Sequence, residues 1–482
     1  MKIKTIASFA LGPILGAVLG VITLPIITWF FPQEDVGRIS MLNITLSFTT
    51  MFFCLGLDQS YVREFHESKN KAQLLLMAYL PGAALLLTTI FIACIYFRVE
   101  IAKFIFNSES ESIAIALAVM VLAAFTSRML SLCLRMKEKG LLYSISQLIP
   151  KVSVLAIVFI YVLNGVEKSF SFLLYAYLIS NVVLLFYILW NLREEVLSAL
   201  NERVDLSSLR EMLKFGLPLV VGGLAYWGLL AADKIMLRSL SSFEQLAIYS
   251  VSSSFAGAAT VLQSIFTVIW APTVYKWAKT GENLEKIEKV TDYVLLAVVF
   301  LISVTGIFSW IVGLLLPEKY LSVTWIMISC MGAPLLYTLS ETTVVGIGIT
   351  RKSLFALSGS FIALVVNVIG NWALVPHFGA KGAAVSTIIS FYVFFILRTE
   401  FSSFLWFKIK TQKLYLITLS VVILSIIHTL LGDSLHSYMP LLWFLTLLFL
   451  LFFFRESLKE AYIFVRNKIE PHISIRDNET KK

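Results

Sequence analysis

Two basic residues lie inside long apolar stretches of this sequence, where charge is costly. Lys151 follows Pro150 in the middle of one stretch, and Arg128 lies within another. A charge at mid-bilayer costs about 2.5–3.5 kcal/mol on insertion scales, so it must face a polar cavity or a charged partner. Ser144 and Gln147 share the helical face of Lys151 and form a polar stripe. We expect Lys151 and Arg128 to line a water-filled lumen that attracts an anionic head group, with pairing to a carboxylate as the alternative.

Acidic residues in similar stretches are candidates for ion coupling or for charge pairing. Asp233 and Lys234 are adjacent, so their side chains diverge by about 100° on a helix. At least one of these two should line the lumen. Glu341 is expected either to carry a proton or cation or to neutralise a nearby Lys or Arg. Asp58 and Arg63 lie at the end of another apolar stretch, where a local ion pair and contact with a substrate are the two interpretations.

The remaining polar residues of interest have simpler explanations. Arg398 lies near the end of an apolar stretch and is expected to extend its charge to the membrane interface. Asn367 and Asn371 lie one turn apart, which favours hydrogen bonds between helices. The 4 Cys and 5 His residues have no spacing typical of a metal site or a catalytic triad, and there is no nucleotide-binding Walker loop. We therefore expect no disulfide, no metal, no cofactor and no enzymatic activity.

The elements that position these residues are predicted to be membrane-spanning helices. The 482 residues are 58% hydrophobic and 14% charged, whereas soluble proteins have about 45–50% and about 25%. This composition excludes a soluble enzyme, a disordered chain and a fibrous protein. Runs of about 20 apolar residues, the length that crosses a bilayer, predict an all-α polytopic protein with about fourteen spans. The runs are 9–31, 37–58, 73–97, 112–134, 140–163, 170–190, 215–239, 247–271, 290–316, 322–345, 353–375, 381–402, 414–432 and 440–454.

Two features leave twelve or thirteen spans as alternatives: the last run is short, and run 112–134 contains an Arg. The long polar segment 191–214 divides the runs into two groups of six and is expected to form one or two amphipathic cytoplasmic helices. The predicted organisation is a six-helix lobe at 1–190, a linker at 191–214, a second six-helix lobe at 215–402, helices 13 and 14 at 403–454, and an amphipathic tail at 455–482.

The distribution of basic residues predicts the orientation. The net charge is +9, and most of the 39 Lys and Arg residues fall in connections on one side of the alternating spans. By the positive-inside rule this side is cytoplasmic, which places both termini in the cytoplasm. The charge is thereby explained without nucleic acid. In the tail, Leu458, Tyr462, Val465 and Ile469 recur at helical spacing among Lys and Arg, as expected of a helix on the anionic inner leaflet.

The two predicted lobes resemble each other in sequence. The segment 9–13 before the first span is similar to 215–218 before the seventh, 34–40 is similar to 244–250, and 60–63 is similar to 274–277. Because each lobe has six spans, the repeats run in the same direction. Such repeats are related by an axis along the membrane normal and place a substrate site between them, with alternating access by rocking of one half against the other.

These motifs carry a resemblance to a known family. The Gly-x-x-Gly-Ala-Ala sequence at 379–384, Asp233-Lys234 and the Glu-x-x-x-x-Tyr-Ser sequence at 244–250 are similar to the multidrug/oligosaccharidyl-lipid/polysaccharide (MOP) exporter superfamily. The run 57–65 (LDQSYVREF) resembles its bacterial O-antigen and polysaccharide repeat-unit flippases. The resemblance implies two pseudo-symmetric lobes of the MATE type and two extra C-terminal helices.

The resemblance also implies a function. It implies a flippase in the bacterial inner membrane that translocates oligosaccharide repeat units linked to undecaprenyl pyrophosphate. H⁺ or Na⁺ is the candidate coupling ion. A polysaccharide polymerase and the chain-length machinery are the candidate partners. Arg and Lys hold phosphate groups, so Lys151, Arg128, Lys234 and Arg63 are the candidate substrate contacts. Asp233, Glu341 and Asp58 are the candidates for ion coupling or charge pairing. A cation-coupled exporter of small molecules in the same superfamily is the competing hypothesis.

Overall fold

The protein consists of packed α-helices. The computed structural model describes residues 3–165, 168–281, 285–455 and 459, and these residues contain no β-strand. The amphipathic tail predicted at 455–482, with its residues at 458, 462, 465 and 469, lies almost entirely outside the described residues.

The first half of the chain forms a bundle, the N-terminal lobe, and a short linker helix, α9, follows it. The helices are α1 (Ile3–Phe30), α2 (Gln33–Phe53), α3 (Leu57–Glu64), α4 (Lys71–Tyr96), α5 (Arg98–Phe106), α6 (Glu111–Met136), α7 (Gly140–Leu163), α8 (Phe170–Asn191) and α9 (Arg193–Leu200).

The second half forms the C-terminal lobe, α10 to α17, and two further helices, α18 and α19. The helices are α10 (Leu206–Leu240), α11 (Phe243–Thr280), α12 (Glu285–Phe308), α13 (Trp310–Leu315), α14 (Val323–Thr343), α15 (Val345–Ile349), α16 (Ser353–Phe378), α17 (Ala380–Leu405), α18 (Gln412–Leu431) and α19 (Met439–Phe453).

The described helices make this a polytopic membrane protein. Eleven are long and apolar enough to cross a membrane, and the bent pair α2–α3 raises the number to 12. Two shorter apolar helices, Ile14–Phe30 and Met439–Phe453, occupy the positions of the first and last predicted spans. The architecture predicted from the sequence is confirmed. The described helices account for 11 or 12 membrane crossings, against the fourteen predicted.

The second predicted span is broken near its end. The axes of α2 and α3 meet at 58°. Leu55 and Gly56 between them have φ of +52° and +71°, a left-handed conformation that cannot continue a right-handed helix. Gly56 tolerates this backbone because it has no Cβ. The break re-aims α3, which carries Asp58 and Arg63, away from the direction of α2.

The first two helices of the C-terminal lobe are much longer than their predicted spans. The 38 residues of α11 extend about 57 Å at 1.5 Å per residue, well beyond the apolar thickness of a bilayer of about 30 Å. Helix α10 begins within the predicted linker because Asp205 caps it, accepting hydrogen bonds from the Ser207 amide at 3.0 Å and from the hydroxyls of Ser207 and Ser208. These hydrogen bonds, led by that from Ser208, lower the pKa of Asp205 to about 2. The linker therefore forms α9 and the first turns of α10.

Close helix packing in the N-terminal lobe depends on glycines of α1. Gly12, Gly16 and Gly20 recur every fourth residue and so lie on one face. A Cβ at Gly12 would lie 2.7 Å from Cα of Ser144 in α7, and the Gly12 amide donates to the Ser144 hydroxyl at 3.0 Å. Small residues at this spacing let membrane helices approach closely.

At one end of the bundle, the two lobes meet at segments that are equivalent in the sequence repeat. This end holds the α1–α2 and α10–α11 turns, and we call it the predicted outer end, because the basic residues place it outside. Gly37 at the start of α2 packs against the carbonyl of Phe243 at the start of α11, leaving no room for a Cβ. Lys319 also donates to the Phe31 carbonyl at 2.9 Å, and Gln33 donates to the Lys319 carbonyl at 2.7 Å. These contacts join the two lobes at the predicted outer end.

The last two helices pack on the C-terminal lobe. Trp443 of α19 is fully buried and its indole NH donates to Nδ1 of His428 in α18 at 3.0 Å. Gly306 of α12 leaves the space that the Trp443 ring fills, because a Cβ there would overlap the indole. His428 therefore has a packing role in the structure, as an acceptor for an indole at the α18–α19 contact.

Candidate functional site

A cavity of about 640 Å³ lies between the two lobes. Helices α2, α3, α6 and α8 of the N-terminal lobe and α10 of the C-terminal lobe form its walls. We call it the interlobe cavity. Its polar lining is contributed mainly by Ser47, Thr50, Asp58, Gln59, Arg128 and Asn181, and apolar side chains complete it. The amide, hydroxyl and charged groups are suited to a hydrated ligand.

Arg128 is the cation of this cavity. It lies two turns from the end of α6, and its side chain is 48% exposed. One of its guanidinium nitrogens lies 3.5 Å from Oδ2 of Asp58, whose side chain is 13% exposed. The contact is at the upper limit for a hydrogen bond, and the guanidinium has further donors free for a ligand. The structure thus satisfies both interpretations of Arg128, since the residue lines the cavity and has a carboxylate partner.

Arg63 lies outside the cavity. Its guanidinium lies 4.4 Å from the ring centroid of Phe215 in α10, a cation–π contact between the lobes. The local ion pair between Asp58 and Arg63 that the sequence offered is therefore not the pairing in the structure. The two residues lie on the same short helix, but Asp58 points to α6 and Arg63 to α10.

Lys151 occupies the seam between α7 and α1. Its ammonium group donates to the main-chain carbonyl of Gly16, and a Cβ at Gly20 would lie 3.1 Å from Nζ. The side chain is half-buried, and it is not among the described residues that line the interlobe cavity. The predicted polar stripe thus faces α1 at Ser144 and Lys151, and the partner of Lys151 is a carbonyl dipole.

Asp233 lies in a buried polar cluster within the C-terminal lobe. Its side chain accepts four hydrogen bonds, from Asn367 at 2.9 Å, Asn371 at 2.8 Å, Tyr249 at 2.7 Å and Thr387 at 2.8 Å. The residue is 1% exposed. Hydrogen-bond donors surround both carboxylate oxygens, so the polar atoms of this buried side chain have partners within an apolar lobe. The cluster joins helices α10, α11, α16 and α17.

Lys234 and its neighbour Asp233 both border a small pocket. The pocket has a volume of about 140 Å³ and lies within the C-terminal lobe. An adjoining pocket of about 400 Å³ shares lining residues with it and reaches Ala17 of α1. We call the two pockets the C-lobe crevice. Asp233 accepts its hydrogen bonds from α11, α16 and α17 at the wall of this crevice, and Lys234 places a positive charge in the same crevice.

Glu341 pairs with Arg398, deep in the C-terminal lobe. Their closest atoms are 2.6 Å apart, and their side chains are only 8% and 12% exposed. Arg398 also donates to the Ser340 hydroxyl at 2.6 Å and stacks on Tyr337 and Phe394 at 4.8 and 5.0 Å from the ring centroids. The expectation that Arg398 extends to the interface is wrong, because these partners satisfy its charge within the lobe. Of the two interpretations of Glu341, the structure contains the neutralising pair.

The structure separates the candidate residues into different environments. Arg128 and Asp58 share the interlobe cavity, Arg63 lies beside it, and Lys151, Asp233–Lys234 and Glu341 lie elsewhere. Sequence reasoning missed Tyr249 and Thr387 as partners of Asp233. Tyr249 belongs to the 244–250 motif and was available as a signal, whereas nothing in the sequence marks Thr387. The recurrence of glycine at every fourth residue of α1 could have indicated that another helix packs closely there and places Lys151 against its backbone.

Comparisons with known proteins agree with this architecture. The sequence profile of a family described as polysaccharide biosynthesis protein matches residues 3–278. No curated protein matches the chain significantly by sequence. Among solved structures, the chain resembles the lipid II flippase MurJ in an inward closed conformation, with a TM-score of 0.68 and 14% identity over 96% of this chain and 99% of that one.

A second structural neighbour is a multidrug resistance MATE family transporter of the MOP superfamily in an inward-facing conformation. The TM-score is 0.58 at 16% identity, over 80% of this chain and 94% of that one. Identities this low show a shared fold. Because the family profile covers more than half of the chain, this chain belongs to the polysaccharide biosynthesis protein family, and it has the fold of the MOP superfamily.

Proposed function

We propose that this protein is a flippase for oligosaccharide repeat units linked to undecaprenyl pyrophosphate. It moves them across the bacterial inner membrane by alternating access between its two lobes. The interlobe cavity, with Arg128 in its wall, is the observation that carries the proposal. Membership of the polysaccharide biosynthesis family supports a glycan cargo.

The chemistry of the cavity suits such a head group. A diphosphate carries fixed negative charge, and a guanidinium binds phosphate oxygens with two parallel hydrogen bonds. Arg128 supplies this group, and Gln59, Asn181 and the hydroxyls of Ser47 and Thr50 supply partners for sugar hydroxyls. The polyprenyl tail remains in lipid, since its transfer into a polar cavity would expose apolar surface to water.

The other predicted substrate contacts have secondary roles in this proposal. Lys234 offers a positive charge in the C-lobe crevice, and Lys151 adds positive potential at the α1–α7 seam. Arg63 maintains the contact between the lobes through Phe215. Arg128 is thus the residue whose loss should affect head-group binding most.

Asp233 is the best candidate for coupling to H⁺ or Na⁺. Glu341 is engaged by Arg398, and Asp58 by Arg128. Oδ1 of Asn371, beside Asp233, is buried and has no hydrogen-bond partner among the described residues, so it offers a second oxygen to a cation. Binding of an ion at Asp233 would displace the amide donors of Asn367 and Asn371 in α16. Ion binding would therefore change the packing of α10 against α16.

A cation-coupled exporter of small molecules is the competing function. The observation that favours it is the Asp58 carboxylate in the interlobe cavity, which would attract a cationic drug. The positive charge of Arg128 discriminates the two functions, because it would bind a diphosphate but repel a cationic drug.

The proposed location is the inner membrane with both termini in the cytoplasm, as the distribution of basic residues indicates. A polymerase and chain-length machinery would then act on the translocated repeat units at the opposite face. No step of the proposed translocation requires catalysis by this chain.

The decisive experiment is deletion of the gene in its host, followed by measurement of lipid-linked oligosaccharide on each membrane face. We expect complete repeat units to accumulate on the cytoplasmic face and surface polysaccharide to be lost. Complementation with Arg128→Ala should fail, and Arg128→Lys should restore part of the export. The matched control is Arg135→Ala, which removes an exposed cation from the same helix outside the cavity. Normal surface polysaccharide without accumulation would favour the small-molecule exporter.

A further inference from the structure

The carboxylate of Asp58 occupies the position that a phosphate would need. It is the acidic residue of the interlobe cavity, and it lies against the cation proposed to bind the head group, 3.5 Å from the Arg128 guanidinium. Gln59 also donates to Asp58, at 3.2 Å. An incoming phosphate and the Asp58 carboxylate therefore compete for the same guanidinium.

Asp58 belongs to a helix that connects the two lobes. Helix α3 follows the break at Leu55 and Gly56 and packs against α10 of the C-terminal lobe. A Cβ at Gly216 of α10 would lie 2.6 Å from the Gly56 carbonyl oxygen. One turn later, the Ser60 hydroxyl donates to the Met212 carbonyl at 2.7 Å. Together with the Arg63–Phe215 stacking, these contacts hold α3 on the C-terminal lobe.

The Asp58–Arg128 pair is the charge link from α3 to α6 of the N-terminal lobe, and the buried Tyr61 of α3 also contacts Cys133 of α6. Helix α3 is thus held from two sides, by α10 through Gly56, Ser60 and Arg63 and by α6 through the charge pair and Tyr61. The charge pair is the weaker attachment, because its distance is long and its arginine is half exposed. A ligand that takes Arg128 removes the charge link to α6 and leaves the contacts with α10 in place.

We propose that Asp58 is an internal competitor that holds Arg128 while the cavity is empty and is displaced by the phosphate of the substrate, which loosens α3 from α6. The inference rests on the proposed function and adds to it a residue that couples binding to the contact between the lobes. It also provides selectivity. A monovalent anion must displace a carboxylate of equal charge, whereas a diphosphate brings more charge to the same guanidinium.

The first test is binding of an isoprenyl diphosphate to the full chain in lipid nanodiscs. The probe is farnesyl pyrophosphate, with farnesol as the uncharged control. An exposed ion pair is worth about 0.2–1 kcal/mol, so removal of the competitor by Asp58→Asn should tighten binding about 1.4- to fivefold. Asp58→Glu restores the carboxylate and should return the affinity towards that of the wild type. Glu195→Gln is the matched control, since Glu195 pairs with Lys137, the residue that follows α6, away from the cavity.

The second test follows the backbone of α3. Hydrogen exchange of residues 54–66, compared with residues 71–96 of α4, reports whether α3 is loosened. In the wild type, farnesyl pyrophosphate should accelerate exchange at 54–66. In Asp58→Asn the faster exchange should be present without the probe, while exchange at 71–96 stays as in the wild type and shows that the fold is intact.

The outcomes separate the two proposals. If Arg128→Ala weakens probe binding but Asp58→Asn binds no more tightly than the wild type, Arg128 is an anion site and the competitor role of Asp58 is wrong. If Asp58→Asn binds more tightly but exchange at 54–66 never responds to the probe, the coupling to α3 is wrong. If Arg128→Ala binds the probe as well as the wild type does, the proposed head-group site fails, and the inference that rests on it fails too.

Discussion

The Glu341–Arg398 pair tests whether Glu341 acts in charge pairing or in ion coupling. The two groups approach to 2.6 Å, and both side chains are almost completely buried. Replacing Glu341 by Gln removes the charge and leaves the shape nearly unchanged. Arg398 would keep the Ser340 hydroxyl and two aromatic faces, but it would remain charged in an apolar lobe without a counter-ion.

The expected magnitude follows from burial. Breaking a buried pair by removing one partner costs about 3–5 kcal/mol, because the other charge is left uncompensated. Removal of both charges is often nearly neutral. We therefore expect Glu341→Gln and Arg398→Met each to lower the free energy of unfolding by about 3–5 kcal/mol, and the double variant to lose less than either single variant.

The measurement is reversible unfolding in mixed micelles, monitored by circular dichroism, for the wild type, both single variants and the double variant. Asp292→Asn is the matched control. Its partner Lys413 lies at a comparable distance of 2.9 Å, but these side chains are 39% and 38% exposed, so the change should cost at most about 1 kcal/mol. If Glu341→Gln costs no more than Asp292→Asn, the reasoning from burial is refuted. If it abolishes transport while leaving the free energy of unfolding unchanged, Glu341 acts in ion coupling.

Three further predictions concern the lobe contact, the buried acid and the helix cap. Gly216→Ala should destabilise the protein by about 1–3 kcal/mol through overpacking against Gly56, and the measurement is a lower Tm. The control Gly222→Ala should leave the Tm unchanged, because a Cβ at Gly222 meets no atom within 4 Å. Equal Tm values for the two variants would contradict the close contact. Asp233→Asn should remove any dependence of transport on a Na⁺ or pH gradient in proteoliposomes, and an unchanged dependence would exclude Asp233 as the coupling acid. Asp205→Ala should accelerate hydrogen exchange at residues 206–209, while Asp205→Asn retains an acceptor and should not. Because hydrogen bonds lower the pKa of Asp205 from 3.8 to about 2, its stabilising effect is complete above pH 3.8 and lost as the pH falls through 2, so exchange at 206–209 in the wild type should show this profile after correction for intrinsic rates.

The membrane architecture could be predicted from the sequence with little ambiguity. Apolar runs of about 20 residues specify helices because lipid offers the backbone no hydrogen-bond partner, so each span must satisfy its own amides and carbonyls. The cost of charge in lipid also made Arg128, Lys151 and Asp233 recognisable as residues with a special environment. The boundaries were less certain. The cap at Asp205 and the break at Leu55 and Gly56 depend on local backbone geometry that hydropathy does not report.

The partner of each charge was decided only by the tertiary structure. Asp58 and Arg128 are 70 residues apart in the chain, and Asp233 and Thr387 are 154 apart. Helical periodicity states which face a residue occupies, but it does not state which helix covers that face, because this depends on the angle and depth at which helices pack. Glycines 12, 16 and 20 permit α7 to approach so closely that Lys151 reaches a carbonyl of α1. Hydropathy identified the charges that need a partner, and the packing of distant helices determined which partner each of them has.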